Sequence, residues 1–238
     1  MNGLKSSLAV VEEVTSHLSQ MRDGADCVLC PPATLIAPMA EIAGPRLKVG
    51  AQCCHTEEKG AHTGDIAAEM LKDAGASYVI VGHSERREDH LERSAYIKEQ
   101  GEAAVRAGLC PIVCVGEDYN QRKRGETAAV ITRVLRKSLP TLPDSAADLV
   151  VAYEPKWAIG TGEIPTPEEI EEVHTLIRAL LTEVYGERGN DMPILYGGSM
   201  KPANAADILS INNVNGGLIG GASLKADDFM AIYSAAIA

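Results

Sequence analysis

The sequence predicts an α/β fold: a parallel sheet wound into a (β/α)8 barrel by helical crossovers. Three observations carry this. Short apolar runs recur along all 238 residues, and most are continuous rather than alternating, as strands buried on both faces require. Each run is followed by an amphipathic stretch at helical spacing, so strand and helix alternate in units of roughly 20 to 45 residues. No linker interrupts the alternation, so residues 1–238 read as one domain.

The chain opens on a helix, Leu4 to Met21. Seven strands are expected after it: Asp26 to Cys30, Leu47 to Gln52, Tyr78 to His83, Pro111 to Gly116, Asp148 to Tyr153, Pro193 to Gly197 and Gly217 to Gly221. The clearest later helices include Leu71, Ala95–Ala107, Ala128–Leu139, Pro167–Tyr185 and Ala226–Ile237. Thr166-Pro167-Glu168-Glu169 is a helix start: a capping hydroxyl, proline at the first position, then acids in the first turn. Pro202 and Asp227 mark further starts. The count is seven strands against eight helices. A closed barrel has eight strands, so the expectation is a barrel lacking its first strand in this chain. An open doubly wound sheet is the competing fold. It would want a glycine-rich turn after the first strand, but Pro31-Pro32 stands there and has no N–H to offer a pyrophosphate.

Composition narrows the function. Lys and Arg number 22 against 33 Asp and Glu, for a net charge of −11. Nucleic acids and anionic membranes select a basic footprint, so neither is an expected partner. A few local N–H donors can still hold a phosphate on an acidic protein. No stretch approaches the roughly 20 apolar residues of a membrane span, and the first residues do not read as a secretion signal. Six cysteines in a chain of this length are no disulfide framework. Cys27 and Cys30 form a lone CxxC without a second ligand pair, so reduced, packed thiols in a cytoplasmic protein are expected, with no metal site.

The working face of a barrel lies at the C-terminal ends of its strands. The polar residues predicted there are His83 in VGHSERR, Glu154 in AYEPKWAIGTG, Ser199 in YGGS and Gly220-Gly221 in LIGGAS. His83 and Glu154 form a candidate acid/base pair from different strands. The glycine-rich ends at 197–199 and 220–221 follow the last two strands, where backbone amides of such barrels commonly hold phosphate. The competing reading of those glycines is tight turns at positive φ. Trp157 to Gly162 has Pro155 before it and glycines at its far end, which suits a hinged lid.

Together, AYEPKWAIGTG, VGHSERR, GAHTGDI, YGGSMKPANAADIL and GGLIGGASLKADDF resemble the triosephosphate isomerase family over essentially the whole chain. The resemblance implies a TIM barrel, an aldose–ketose isomerase of glycolysis and gluconeogenesis, and no cofactor. It implies Glu154 as general base, His83 as neutral electrophile and Glu85 as an orienting group. Gly160, Ser199, Gly220 and Gly221 would bind the phosphate of a small phosphorylated sugar. It also implies a homodimer joined through the 52–65 loop, with Thr63 reaching the neighbouring site and Arg86 supporting the interface.

The sequence departs from the family in places. An Asn-x-Lys normally precedes Met-Asn-Gly, and here Met1 is the first residue, so the implied expectation is impaired activity. Lys5 and Lys156 offer no obvious replacement. His90-Leu91-Glu92 stands where Phe-Gly-Glu is usual, His62 replaces an aromatic, and Asn215 replaces an aspartate. Two alternatives accompany the leading expectation: an isomerase of a four-carbon ketose phosphate such as an erythrulose phosphate, and a non-catalytic sugar-phosphate binder.

Overall fold

Seven parallel strands run side by side in chain order, β1 to β7, each paired with the next. The computed structural model describes residues 1–143, 149–159 and 163–238. The strands are β1 Cys27–Leu29, β2 Leu47–Ala51, β3 Tyr78–Val81, β4 Cys110–Val115, β5 Val150–Tyr153, β6 Ile194–Tyr196 and β7 Gly216–Gly217. All seven expected strands are found. The last begins one residue early and is two residues long, because Gly220 to Leu224 turns into a 3-10 helix instead of continuing the ladder. Within the described residues β1 pairs only with β2 and β7 only with β6, so the curled sheet keeps two edges.

Side chains alternate across each strand, and the two faces have different fates. Ile112 and Cys114 of β4 join Val150 and Ala152 of β5 in a cluster inside the curl. Val113 and Val79 point outward into one helix-covered cluster with Val14 and Ile97. Val115, Val151 and Tyr153 enter a second with Ile131, Leu135 and Ile177. Burial on both faces explains why these strands read as unbroken apolar runs.

The helices follow the same logic. Pro167–Tyr185 starts as its sequence predicts: Thr166 Oγ1 accepts the Glu169 N–H while the Glu169 carboxylate accepts the Thr166 N–H. Its apolar stripe, Ile170, Val173, Ile177 and Leu181, is buried against the second cluster. The first helix is Leu8–Gln20, led in by a 3-10 turn at Lys5–Ser7. The start expected at Pro202 falls at Ala205, after Asn204 ties back the Lys201 N–H. Leu91 takes φ 56°, the left-handed region that a glycine would occupy without strain. Asn215 accepts hydrogen bonds from Arg178 and from the Ile194 N–H. All six cysteines are free. No helix among the described residues is long and apolar enough to cross a membrane.

Candidate active site

Glu154 is the first residue after β5, and its backbone is locked: its N–H donates to Val115 O at 2.7 Å, and Gly197 N–H donates to Tyr153 O at 2.7 Å. The neighbouring strand ends crowd it. A Cβ on Gly116 would collide with the Glu154 carbonyl, and one on Gly197 would meet Glu154 Cγ at 2.9 Å. These glycines are required by close approach and not by positive φ, which corrects the turn reading for Gly197.

His83 follows β3 and caps the helix Ser84–Asp89. Its Nε2 lies 2.8 Å from Glu154 Oε1, and the other carboxylate oxygen accepts the Ser84 N–H at 3.1 Å. The side chain of Glu154 is 3 % exposed and that of His83 26 %. Burial works to lower the His83 pKa. The hydrogen bond and charge of Glu154, with the charge of Glu85 added, outweigh it and hold the imidazole above its ordinary value. The helix start opposes this: the Glu85 N–H points at Nδ1 at 3.4 Å, so a second ring proton would face a donor. The resulting arrangement has His83 donating from Nε2 to Glu154. The carboxylate of Glu85 lies in solvent, 3.7 Å from Nδ1.

Two neighbours escaped the sequence reading. Cys114 is fully buried, and its thiol is held protonated by burial first and then by the adjacent Glu154 carboxylate. Glu117 is also fully buried and accepts hydrogen bonds from Tyr153 OH and Trp157 Nε1, each at 3.1 Å. It thereby anchors the near end of the loop after β5. In sequence both sit at or near an apolar run, PIVCVGE, which reads as ordinary core. Arg87 braces the same end of the sheet by donating to Gly82 O and Cys114 O, both at 2.8 Å.

The glycine-rich side differs. Ser199 follows β6, half-buried, with its carbonyl held by Asn204 Nδ2. Gly220 caps the 3-10 helix Gly221–Leu224 with φ −86° and ψ −110°, and Gly221 opens it. A Cβ on either would meet nothing within 4 Å, so crowding accounts for neither. Above Gly221 lies open space over the first amides of a helical turn, which lack intrahelical partners. Gly160 lies outside the described residues. Lys156 is committed to Glu88 at 2.9 Å, and Lys5 is exposed in its 3-10 turn.

A parallel β/α barrel with a buried carboxylate on an imidazole, both at the C-terminal strand ends, defines an enzyme that moves protons at a small molecule. The comparisons give the particular family. The profile described as triosephosphate isomerase matches residues 1–236. The triosephosphate isomerase of Hyphomonas neptunium is 58% identical, over 98% of this chain and 94% of its own length. That of Afipia carboxidovorans is 55% identical over 99% and 94%. The crystal structure of triosephosphate isomerase from Bartonella henselae superposes with a TM-score of 0.89 at 41% identity, covering 99% of this chain and 94% of that one. The chain belongs to the triosephosphate isomerase family, and it is an aldose–ketose isomerase. These matches lend no support to the four-carbon substrate or the non-catalytic binder.

Proposed function

We propose that this chain interconverts dihydroxyacetone phosphate and D-glyceraldehyde 3-phosphate through an enediolate, with Glu154 as the proton carrier and His83 as the electrophile. The contact between Glu154 and His83 at 2.8 Å carries the reading. A carboxylate stripped of water abstracts a carbon-bound proton better than a hydrated one, and Glu154 is 2% exposed. When Glu154 turns to substrate, the charge that raised the His83 pKa leaves with it. Burial and the helix start then keep the ring neutral, with Nε2–H free to polarise the substrate oxygens. The amide of Glu85 fixes that tautomer. Ser199, Gly220 and Gly221 hold the phosphate by backbone N–H groups, and Gly160 adds another from the lid. The residues present supply proton transfer and anion binding without a cofactor.

The same reading includes a cytoplasmic homodimer. Residues 57–65 of the connecting loop are exposed throughout, while its base is tied by His55 N–H to Ile66 O at 2.8 Å. Thr63 lies on this projecting part. A hollow of about 420 Å³ lined by Arg86, His90, Leu91 and Tyr96 lies near the loop base, where a second copy's loop would seat. Arg86 is held there by Glu92 at 2.6 Å.

The test is His83→Gln. Loss of the electrophile lowers kcat about 10²- to 10⁴-fold with KM little changed. Turnover of glyceraldehyde 3-phosphate at the rate of the unmodified chain would overturn the assignment of His83.

A further inference from the structure

Arg87 lies on the helix Ser84–Asp89 that His83 caps, and its side chain turns back under both members of the acid/base pair. We propose that Arg87 is a positioning residue for the isomerase reaction: its guanidinium holds the backbone behind His83 and Glu154 so that imidazole and carboxylate meet in the geometry proton transfer requires. The role follows from the reading of those two residues as the reacting pair.

The pair stands on different strands, and each member depends on the backbone behind it. His83 is reached through Gly82, which turns out of β3 at φ 70°. A Cβ there would meet Ile97 at 2.9 Å and Arg87 Nη2 at 3.0 Å, so the position is closed to a side chain. A glycine backbone is free to rotate, and rotation at Gly82 would swing the imidazole. The Arg87 Nε–H removes that freedom by donating to Gly82 O at 2.8 Å. The Arg87 main-chain N–H closes the turn on His83 O at 3.1 Å. Glu154 is aimed from β5, which lies in register on β4 with Cys114 opposite Ala152. The Arg87 Nη2–H donates to Cys114 O at 2.8 Å. One planar group therefore ties the approach to His83 to the strand that supports Glu154.

The guanidinium suits this task. Its Nε–H and one Nη2–H leave the same edge in parallel, a fork that fits two carbonyls at a fixed separation. The rest of the group is anchored to the outer helices: Nη1 donates to Ser94 Oγ at 3.3 Å and Nη2 to Ser138 Oγ at 3.2 Å. Ser94 opens the helix Ser94–Arg106, and the fully buried Ser138 ends the helix Thr127–Ser138. These four acceptors are two carbonyls and two hydroxyls, with no carboxylate among them. Burial lowers the pKa of the guanidinium below the ordinary arginine value, so its head is withdrawn from water. Packing alone does not call for such a charge, since an apolar side chain of similar volume would fill the space. What arginine adds is the fixed angle between two strand ends.

The experiment compares the unmodified chain with Arg87→Lys and Ser138→Ala. It reads steady-state turnover of glyceraldehyde 3-phosphate and the NMR signal of the His83 Nε2–H proton, which a carboxylate acceptor moves downfield. Lysine keeps the charge and much of the bulk, but its ammonium has no planar fork. Arg87→Lys should lower kcat about 10²-fold with KM within a few-fold, and should shift or broaden the His83 signal, while circular dichroism shows the fold retained. Ser138→Ala frees one arm of the group and should lower kcat several-fold in the same sense, which decides the matter where the lysine variant does not fold. A brace that served stability alone would lower the melting temperature and leave kcat and the His83 signal unchanged. That outcome in folded Arg87→Lys, or in Ser138→Ala where the lysine variant does not fold, overturns the proposal. An unmodified chain without turnover would overturn the reading of the pair instead, and the His83 signal would still decide what Arg87 does.

Discussion

The two sides of the site are built in opposite ways. Around Glu154 every approach is filled: Ser84 N–H and His83 take its oxygens, Cys114 packs beside it, and Gly116 and Gly197 leave no room for a methyl group. Around Gly220 and Gly221 there is nothing to hit. The crowded side fixes a carboxylate that must be aimed within tenths of an ångström. The open side leaves its backbone uncovered, as the proposed phosphate contact requires. Glycine serves both, once because backbone and side chains come too close and once where the space is empty.

The largest expected effect tests the rigid backing of the crowded side. His174 is fully buried, stacks edge-on against Tyr153 and gives Nδ1–H to Asn213 O at 3.0 Å. Burial chiefly, with the charge of Arg178, lowers its pKa to about 4, against the weaker opposing bond to Asn213. A folded pKa below the unfolded value means the folded state resists the proton. The stability linked to this is full above the ordinary histidine range and is lost as pH falls toward 4. The shift from 6.5 to about 4 is worth roughly 3 kcal/mol. Urea unfolding between pH 7.5 and 4.5 should show that decline, and His174→Asn should flatten its share of it. An unchanged slope in the variant would mean His174 is not held neutral.

Next comes Gly197→Ala. Its Cβ presses on Glu154 Cγ, so the carboxylate shifts and kcat falls about 10²-fold while the fold persists. A variant at full kcat would show the crowding to be incidental. Gly221→Ala is the smaller partner of that experiment. Its methyl group finds empty space in the free protein at a helical backbone position, so thermal stability should not change. It intrudes where we propose the phosphate sits, so KM should rise about tenfold, the cost of a weakened hydrogen bond to a charged group. If Gly221→Ala and Gly197→Ala act alike on kcat, the two sides are not the different devices described above.

The crowded side was only half legible in the sequence. His83 and Glu154 stood out because they are polar residues at the ends of apolar runs, and the structure brings them together. Cys114 did not stand out, because a thiol inside PIVCV is what a buried strand contains anyway. Glu117 did not, because its partners Tyr153 and Trp157 are 36 and 40 residues away. The strands were readable for a related reason: burial on both faces leaves runs that no surface helix imitates. The seventh was misplaced by a residue because two glycines carry no hydrophobic pattern. The open side announced itself as glycine pairs, but only coordinates distinguish a glycine needed for a turn from one needed for space.

The central claim is that Glu154 alone carries the proton between carbons while the phosphate is held elsewhere. Solvent-deuterium exchange into carbon-bound positions of dihydroxyacetone phosphate, followed by NMR alongside calorimetric binding of the same compound, separates the two for Glu154→Gln. The account predicts that exchange falls by about 10³-fold or more while affinity stays within a few-fold. Exchange continuing near the original rate, or binding lost together with it, would contradict the account.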